Sequence, residues 1–202
     1  MNMKQSFILI LASIFCSIAS NGQSINLKQD SCWLDVGYGI YFSGGNSEPS
    51  SGTGIMLGFN VQQNSIAYKL RFISSKEFDY IGPNPKEHFS SLGLMIGKVI
   101  KGQKWQTHIS GGLGFTSGHK RGDIVNPTVE VGGDYQEKSF FAPSIPLEIE
   151  YIRKCTTKTG YSLSYFADLN SQRPYFGFAI KVLIGRLRQK TFKIETTEQV
   201  AE

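Results

Sequence analysis

From residue 31 to residue 187 apolar side chains recur at every second position, in runs separated by turn formers. A period of two is that of a β-strand whose two faces meet different surroundings. The first run places Leu34, Val36, Tyr38, Ile40 and Phe42 on one face, and the next three carry Ile55, Leu57, Phe59 and Val61, then Ile66, Tyr68, Leu70 and Phe72, then Leu92, Leu94 and Ile96. The second half continues with Trp105, Ile109, Leu113 and Phe115, with Phe141, Ile145, Leu147, Ile149 and Tyr151, with Tyr161, Leu163, Tyr165 and Leu169, and with Phe176, Phe178, Ile180, Val182 and Ile184. Eight strands of about 10 residues have the length and even number of a membrane-spanning barrel. The predicted fold is all-β, an eight-stranded antiparallel up-and-down transmembrane barrel with a polar interior.

The connections alternate in length. Long ones join strands one and two (SGGNSEPSSG), three and four (SKEFDYIGPNPKEH) and five and six (GHKRGDIVNPTVEVGGDYQEKS), whereas QQNS, KGQK and RKCTTKTG are short. Long loops therefore share one end, the one that faces outward in outer-membrane barrels. Only NSQR, before the last strand, is a short connection on that side.

A soluble lipocalin-like barrel would have the same strand count with the faces exchanged. The polar face decides between the two. It carries Gly37, Gly39, Gly58, Gly93, Gly97, Gly112, Gly114, Gly177 and Gly185 among Asn60, Ser110, Ser162 and Ser164. Small residues suit a narrow barrel interior, whereas a water-facing surface is rich in long charged side chains. Aromatic residues collect at both strand ends, Phe42, Phe72, Phe115, Phe141 and Phe176 by the long loops and Trp105, Tyr151 and Tyr161 by the short turns. Two such belts are expected where rings sit at headgroup depth.

With lipid outside, Glu148 and Glu150 point inward, and Asp35, Lys69, Arg71 and Lys181 share their parity and depth. Unpaired charges in so narrow a space are costly, so an interior ion-pair network is predicted. A conducting path lined by the same charges is the alternative. Pro143 and Pro146 each remove a ladder donor and predict a bulge near the outer rim.

Residues 1–23 read as a secretory signal peptide, with Lys4 before an apolar stretch from Phe7 to Ile18 and cleavage expected between Ala19 and Gln23. Phe15 before Cys16 is too bulky for a lipoprotein signal. Residues 24–30 form a short N-terminal segment, 31–187 the barrel, and 188–202 a polar tail. The formal charge of +5 lacks any basic block interleaved with aromatics, so no nucleic-acid partner is expected. Outer-membrane lipid and lipopolysaccharide are the expected surroundings. No metal and no cofactor are expected: phosphate loops, zinc signatures and nucleophile elbows are missing, and Asp79, Glu87 and His88 lack metal-ligand spacing.

Candidate contacts lie in the long loops. Phe78, Tyr80 and Ile81 are apolar residues among turn formers, and His119, Lys120, Arg121 and Asp123 open the longest loop, where they could meet glycolipid phosphates or a protein partner. His108 and Ser110 share the inward face of strand five. A His-x-Ser pair on a strand resembles the catalytic pair of outer-membrane lipid A deacylases, which makes a lipid A-modifying hydrolase the enzymatic alternative. Cys32 and Cys155 both fall at the short-turn end, and the two strands between their attachment points exceed the ~7 Å disulfide reach unless the turn folds over.

An aromatic residue followed by Ile-Pro-Leu-x-Ile-x-Tyr, Phe141 to Tyr151 here, resembles the mid-barrel strand of the small outer-membrane β-barrel domain family of Gram-negative bacteria, a group that includes PorT-like proteins. The likeness of pattern covers residues 31–187, and Gly177-x-x-Ile180-x-Val182 resembles the signal read by the barrel-insertion machinery. The resemblance implies a non-enzymatic barrel of the outer membrane with a possible association with secretion.

Overall fold

The computed structural model describes residues 31–44, 49–78, 85–102, 105–126 and 134–187. It contains β1 (Ser31–Ser43), β2 (Ser50–Gln63), β3 (Ile66–Glu77), β4 (His88–Lys101), β5 (Trp105–Asn126), β6 (Asp134–Lys154), β7 (Thr159–Asn170) and β8 (Tyr175–Arg186). Each strand pairs antiparallel with the next, and β1 pairs with β8, so the sheet closes into an eight-stranded barrel. Closure removes both sheet edges and satisfies the backbone polar groups of the wall within the protein. The turn between β2 and β3 is two residues long, with Asn64 at φ 55°, a conformation that asparagine tolerates in tight hairpins.

Two sequence expectations need correction. Strands β5 and β6 run to 22 and 21 residues, so most of the connection expected to be a long loop is a two-stranded ribbon. It continues past the last β4–β5 pair, His88↔His119, and past the last β6–β7 pair, Ser144↔Asn170. The prolines do not produce a bulge where they stand. Register is constant from Trp105↔Arg153 to Arg121↔Glu137, and the shifts lie farther out, between Arg121, Ile124 and Asn126. Only the rungs between Gly111↔Leu147 and Gly114↔Ser144 are missing, around Pro146. Opposite, a Cβ on Gly93 would stand 2.9 Å from the Pro146 ring, so the glycine leaves the ring its space.

Burial alternates along the strands with the polarity of a soluble protein inverted. Leu34, Tyr38, Leu94, Leu113, Leu163 and Ile180 are exposed on the outside, while Asp35, Lys69, Arg71, Glu148, Glu150 and Lys181 are buried. The interior is packed. Trp33, Ile152, Leu183 and Leu187 form an apolar layer toward the short turns. Tyr41, Met56, Ile73, Phe89, Phe166, Tyr175 and Ala179 form another toward the long connections. The charges lie between the two.

Candidate functional site

The central charges come from β1, β3, β6 and β8, each placed inward by strand parity. Lys69 Nζ lies 2.6 Å from Glu150 Oε2 and 3.2 Å from Glu148 Oε1. Lys181 is the hub: its Nζ donates to Glu148, stands 3.1 Å from Glu150 Oε1, and is 3.9 Å from Asp35 Oδ1. Arg71 reaches the group less closely, 3.7 Å from Glu148 Oε2, and donates to the Leu147 carbonyl at 3.3 Å. Neutral donors complete the set, Ser162 Oγ to Glu150 at 2.6 Å and Asn60 Nδ2 to Asp35 at 2.6 Å. Glycines make the room. A Cβ on Gly37 would meet Lys181 Cγ at 2.6 Å, and one on Gly58 would meet Asp35 Cγ at 2.6 Å.

The structure adds a seventh charge that the sequence reading missed. Asp168 on β7 lies 3.5 Å from Arg71 Nη2 and accepts from Thr116 Oγ1 at 3.0 Å. Its parity with Ser162 and Ser164 was the available signal. Beyond it Tyr175 Oη and Ser91 Oγ share a 2.6 Å hydrogen bond.

A second buried ion cluster closes the long-connection end. Arg121 Nη1 donates to Glu77 Oε2 at 2.7 Å, Arg173 pairs with Glu87, and Arg173 Nη2 donates to Ser50 Oγ at 2.9 Å. Backbone donors join in, with Glu87 N on Glu77 at 3.0 Å and Arg121 N on Glu87 at 3.1 Å. Strand ends β2, β3 and β5, the residues before β4 and the β7–β8 turn are thereby tied together. Glu77 continues the inward parity of Lys69 and Arg71 on β3, whereas Glu87, Arg121 and Arg173 carry no periodic signal, because they sit in connections and at the base of the ribbon.

Of the candidate loop contacts, Arg121 is therefore corrected: it is buried at 4% exposure and committed to Glu77. Lys120 Nζ donates to Gln172 at 2.8 Å, His119 stands beside His88, and Phe78 is exposed. Tyr80 and Ile81 lie outside the described residues, as do the signal peptide and the tail. On the ribbon Lys138 donates to Asp123 Oδ2 at 2.8 Å, and this hydrogen bond holds the exposed Asp123 carboxyl below its ordinary value.

His108 and Ser110 make their hydrogen bonds to different partners. His108 is 1% exposed inside the barrel, its Nε2 lies 2.8 Å from the Gln106 side-chain nitrogen, and Ser110 Oγ donates to the Glu148 carbonyl at 3.4 Å. Two strand residues on one face are about 7 Å apart, and here each turns to a different partner. Cys32 and Cys155 are free thiols. Among the described residues no group of three or more His, Cys, Asp or Glu side chains is placed to hold a metal ion.

The belt residues all face outward. Phe42 packs on Phe176 at 5.7 Å between centroids and Phe115 stacks on Phe141 at 5.4 Å at one end, while Phe72 is exposed on β3. At the other end Trp105 meets Tyr161 edge-on at 6.1 Å, Tyr151 is exposed beside them, and Arg153 lies 5.4 Å over the Trp105 ring. An aromatic ring and an arginine side by side combine an apolar body with a polar tip.

A closed antiparallel barrel with a charged core and an apolar exterior defines an architectural class, and comparison with solved structures gives the same class. The chain is similar to Neisserial surface protein A at 12% identity and a TM-score of 0.57, covering 76% of this chain and 96% of that one. It is also similar to Ail, the attachment invasion locus protein of Yersinia pestis, solved in complex with the heparin analogue sucrose octasulfate, at 11% identity and a TM-score of 0.55, covering 78% of this chain and 99% of that one. At such identities the likeness is one of fold. No family model matches the chain, and no curated protein matches it in sequence.

Proposed function

We propose that the protein is a non-enzymatic integral barrel of the bacterial outer membrane, exported by a cleaved signal peptide, that meets a partner through the segments beyond its long-connection rim. The observation that carries this reading is the inversion of polarity. A barrel with leucines and isoleucines on its outside and lysine, arginine and glutamate in its core is stable only where the outside is hydrocarbon. Six of the strands have 12 to 14 residues, and at ~3.4 Å per residue and a tilt of roughly 40° they rise about 30 Å, enough for the ~25 Å apolar band of such barrels. Lipid and lipopolysaccharide are then its surroundings, and the Phe141–Tyr151 resemblance supports an association with secretion of the PorT-like kind.

Recognition belongs to the ribbon because the wall is committed to lipid and the core is filled. Large side chains, Trp33, Tyr41, Arg71, Phe89, Tyr175 and Lys181, are buried across the interior at 1% to 2% exposure, which leaves a small-solute channel little support. The ribbon instead presents Ile124 and Val125, both exposed, on a stretch that pairs with no third strand among the described residues beyond His119 and Ser144. Exposed edges and apolar side chains are what an extended partner segment pairs with.

A photocrosslinking residue at position 124, compared in whole cells with one at 113, tests this. Position 124 is expected to yield a protein adduct and position 113 only lipid. Lipid-only adducts at both positions would count against a protein partner. A change in lipid A mass on replacing His108 and Ser110 by alanine would support the hydrolase alternative instead.

A further inference from the structure

Three histidines occur in the chain, and the two outside the barrel core face each other across a strand pair. His88 opens β4 and stands directly opposite His119 of β5. Their rings lie 4.4 Å apart between centroids at 34°. His119 Nδ1 is 2.8 Å from His88 Nε2, and on the far side of the same ring His119 Nε2 is 3.7 Å from Glu137 Oε1. This juxtaposition serves neither the ion network nor the outer closure.

From it we propose a surface site for a divalent first-row transition metal ion, with His119 Nδ1 and His88 Nε2 as protein ligands and water in the remaining positions. Imidazole nitrogens bind such ions at ~2.0–2.1 Å, so the observed 2.8 Å between the two nitrogens subtends about 86° at an ion bound to both. That angle fits the ~90° of tetragonal copper(II) or nickel(II) better than the wider angle of tetrahedral zinc. Binding replaces the hydrogen bond the two nitrogens share: the donating ring moves its proton to its other nitrogen and both rings turn so that both lone pairs meet at the ion, and both are accessible, since His88 is exposed and the His119 side chain is 38% exposed. Glu137 lies 3.7 Å from the other nitrogen of His119, and closing that gap to a hydrogen bond would let its carboxylate orient the ligating imidazole. Lys76, opposite His88 on β3, is exposed.

The site joins the start of β4, at the end of the connection from β3, to the base of the ribbon. A bound ion would hold those two segments together. The inference rests on the imidazole geometry alone and does not depend on the partner-binding reading.

The test uses the mature chain without an affinity tag, folded in detergent, with Cys32→Ser and Cys155→Ser to remove thiol ligands. Titration with copper(II) chloride and with nickel(II) chloride at neutral pH is followed calorimetrically. One equivalent should bind per chain, copper more tightly than nickel. His88→Ala and His119→Ala should each weaken binding at least ~10-fold, Glu137→Gln should weaken it about 10-fold by loosening His119, and His108→Ala should change nothing. The electron paramagnetic resonance spectrum of the copper-loaded protein should show coupling to two imidazole nitrogens. Equal binding by the His88→Ala/His119→Ala double variant, a nitrogen count below two, or no saturable binding would overturn the assignment.

Discussion

Replacing Lys181 with methionine probes the central network at its hub. Seven ionisable side chains meet there, Asp35, Glu148, Glu150 and Asp168 against Lys69, Arg71 and Lys181. Removing one cation leaves four negative charges and two positive. At an effective dielectric of ~20 a unit pair at the 3.1 Å of Lys181 and Glu150 attracts by about 5 kcal/mol. The relief of burying one ammonium fewer offsets part of the lost attractions to three carboxylates. Measured losses on breaking such buried groups fall at about 3 to 5 kcal/mol, a large share of the ~5 to 15 kcal/mol by which a domain is stable. Methionine fills most of the lysine volume, so little of the loss is cavity. Combining Lys181→Met with Glu148→Gln restores the original charge balance, and the double variant should recover about 2 kcal/mol relative to the sum of the single losses. Urea unfolding of the protein in lipid bilayers, followed by tryptophan fluorescence, reads both values, since Trp33 lies in the core and Trp105 at a belt. A single variant within 1 kcal/mol of the parent, or strict additivity in the double, would refute the coupled network.

Three further outcomes are expected. Gly37→Ala should destabilise the barrel by about 1 to 3 kcal/mol by overpacking, because the new methyl meets Lys181 Cγ at 2.6 Å and the Ile180 carbonyl at 2.9 Å; an unchanged urea midpoint speaks against a filled interior. Leu113→Arg should cost about 2 to 4 kcal/mol if that exposed side chain lies at mid-membrane depth, and a neutral result places the position in water or at an interface. On the ribbon, Asp123 titrates below its ordinary value of 3.8 because Lys138 donates to its charged form. A depressed carboxyl stabilises the ribbon above the ordinary value and loses that contribution as pH falls through the lowered one. Carboxyl-carbon NMR should therefore place the Asp123 midpoint below 3.8, and Lys138→Met should raise it; a midpoint at or above 3.8 in the parent removes the contact.

What could be read from the sequence follows from which surfaces meet two different surroundings. Along the wall one face meets apolar surroundings and the other a cramped polar core, so Leu34, Tyr38 or Ile180 reports its side by parity alone, and Glu148, Lys69 and Lys181 report theirs. Beyond Arg121, which turns into the barrel mouth, Asp123, Ile124 and Val125 and residues 136–139 are all exposed, so HKRGDIVN and DYQEKS do not alternate and read as a loop. Parity gives side and approximate depth but not pairing, so Lys181 as the hub, and Arg71 turned toward Asp168, follow only from the closed register of eight strands. Glu87, Arg121 and Arg173 were hidden for another reason. They gather from strand ends and connections whose convergence depends on how the barrel mouth closes. Even the prolines misled for a local reason: Pro146 turns its ring inward over Gly93, so the sheet absorbs it without a bulge.

The inverted polarity of the wall is tested most directly by spin-label accessibility. In a cysteine-free background reconstituted into phospholipid bilayers, nitroxides at positions 113 and 180 are compared with labels at 124 and 158 for relaxation by oxygen, which partitions into lipid, and by chromium oxalate, which stays in water. Labels at 113 and 180 should respond to oxygen and be shielded from chromium oxalate, and those at 124 and 158 should show the reverse. Chromium oxalate reaching positions 113 and 180 as freely as 124 would contradict a barrel that faces lipid.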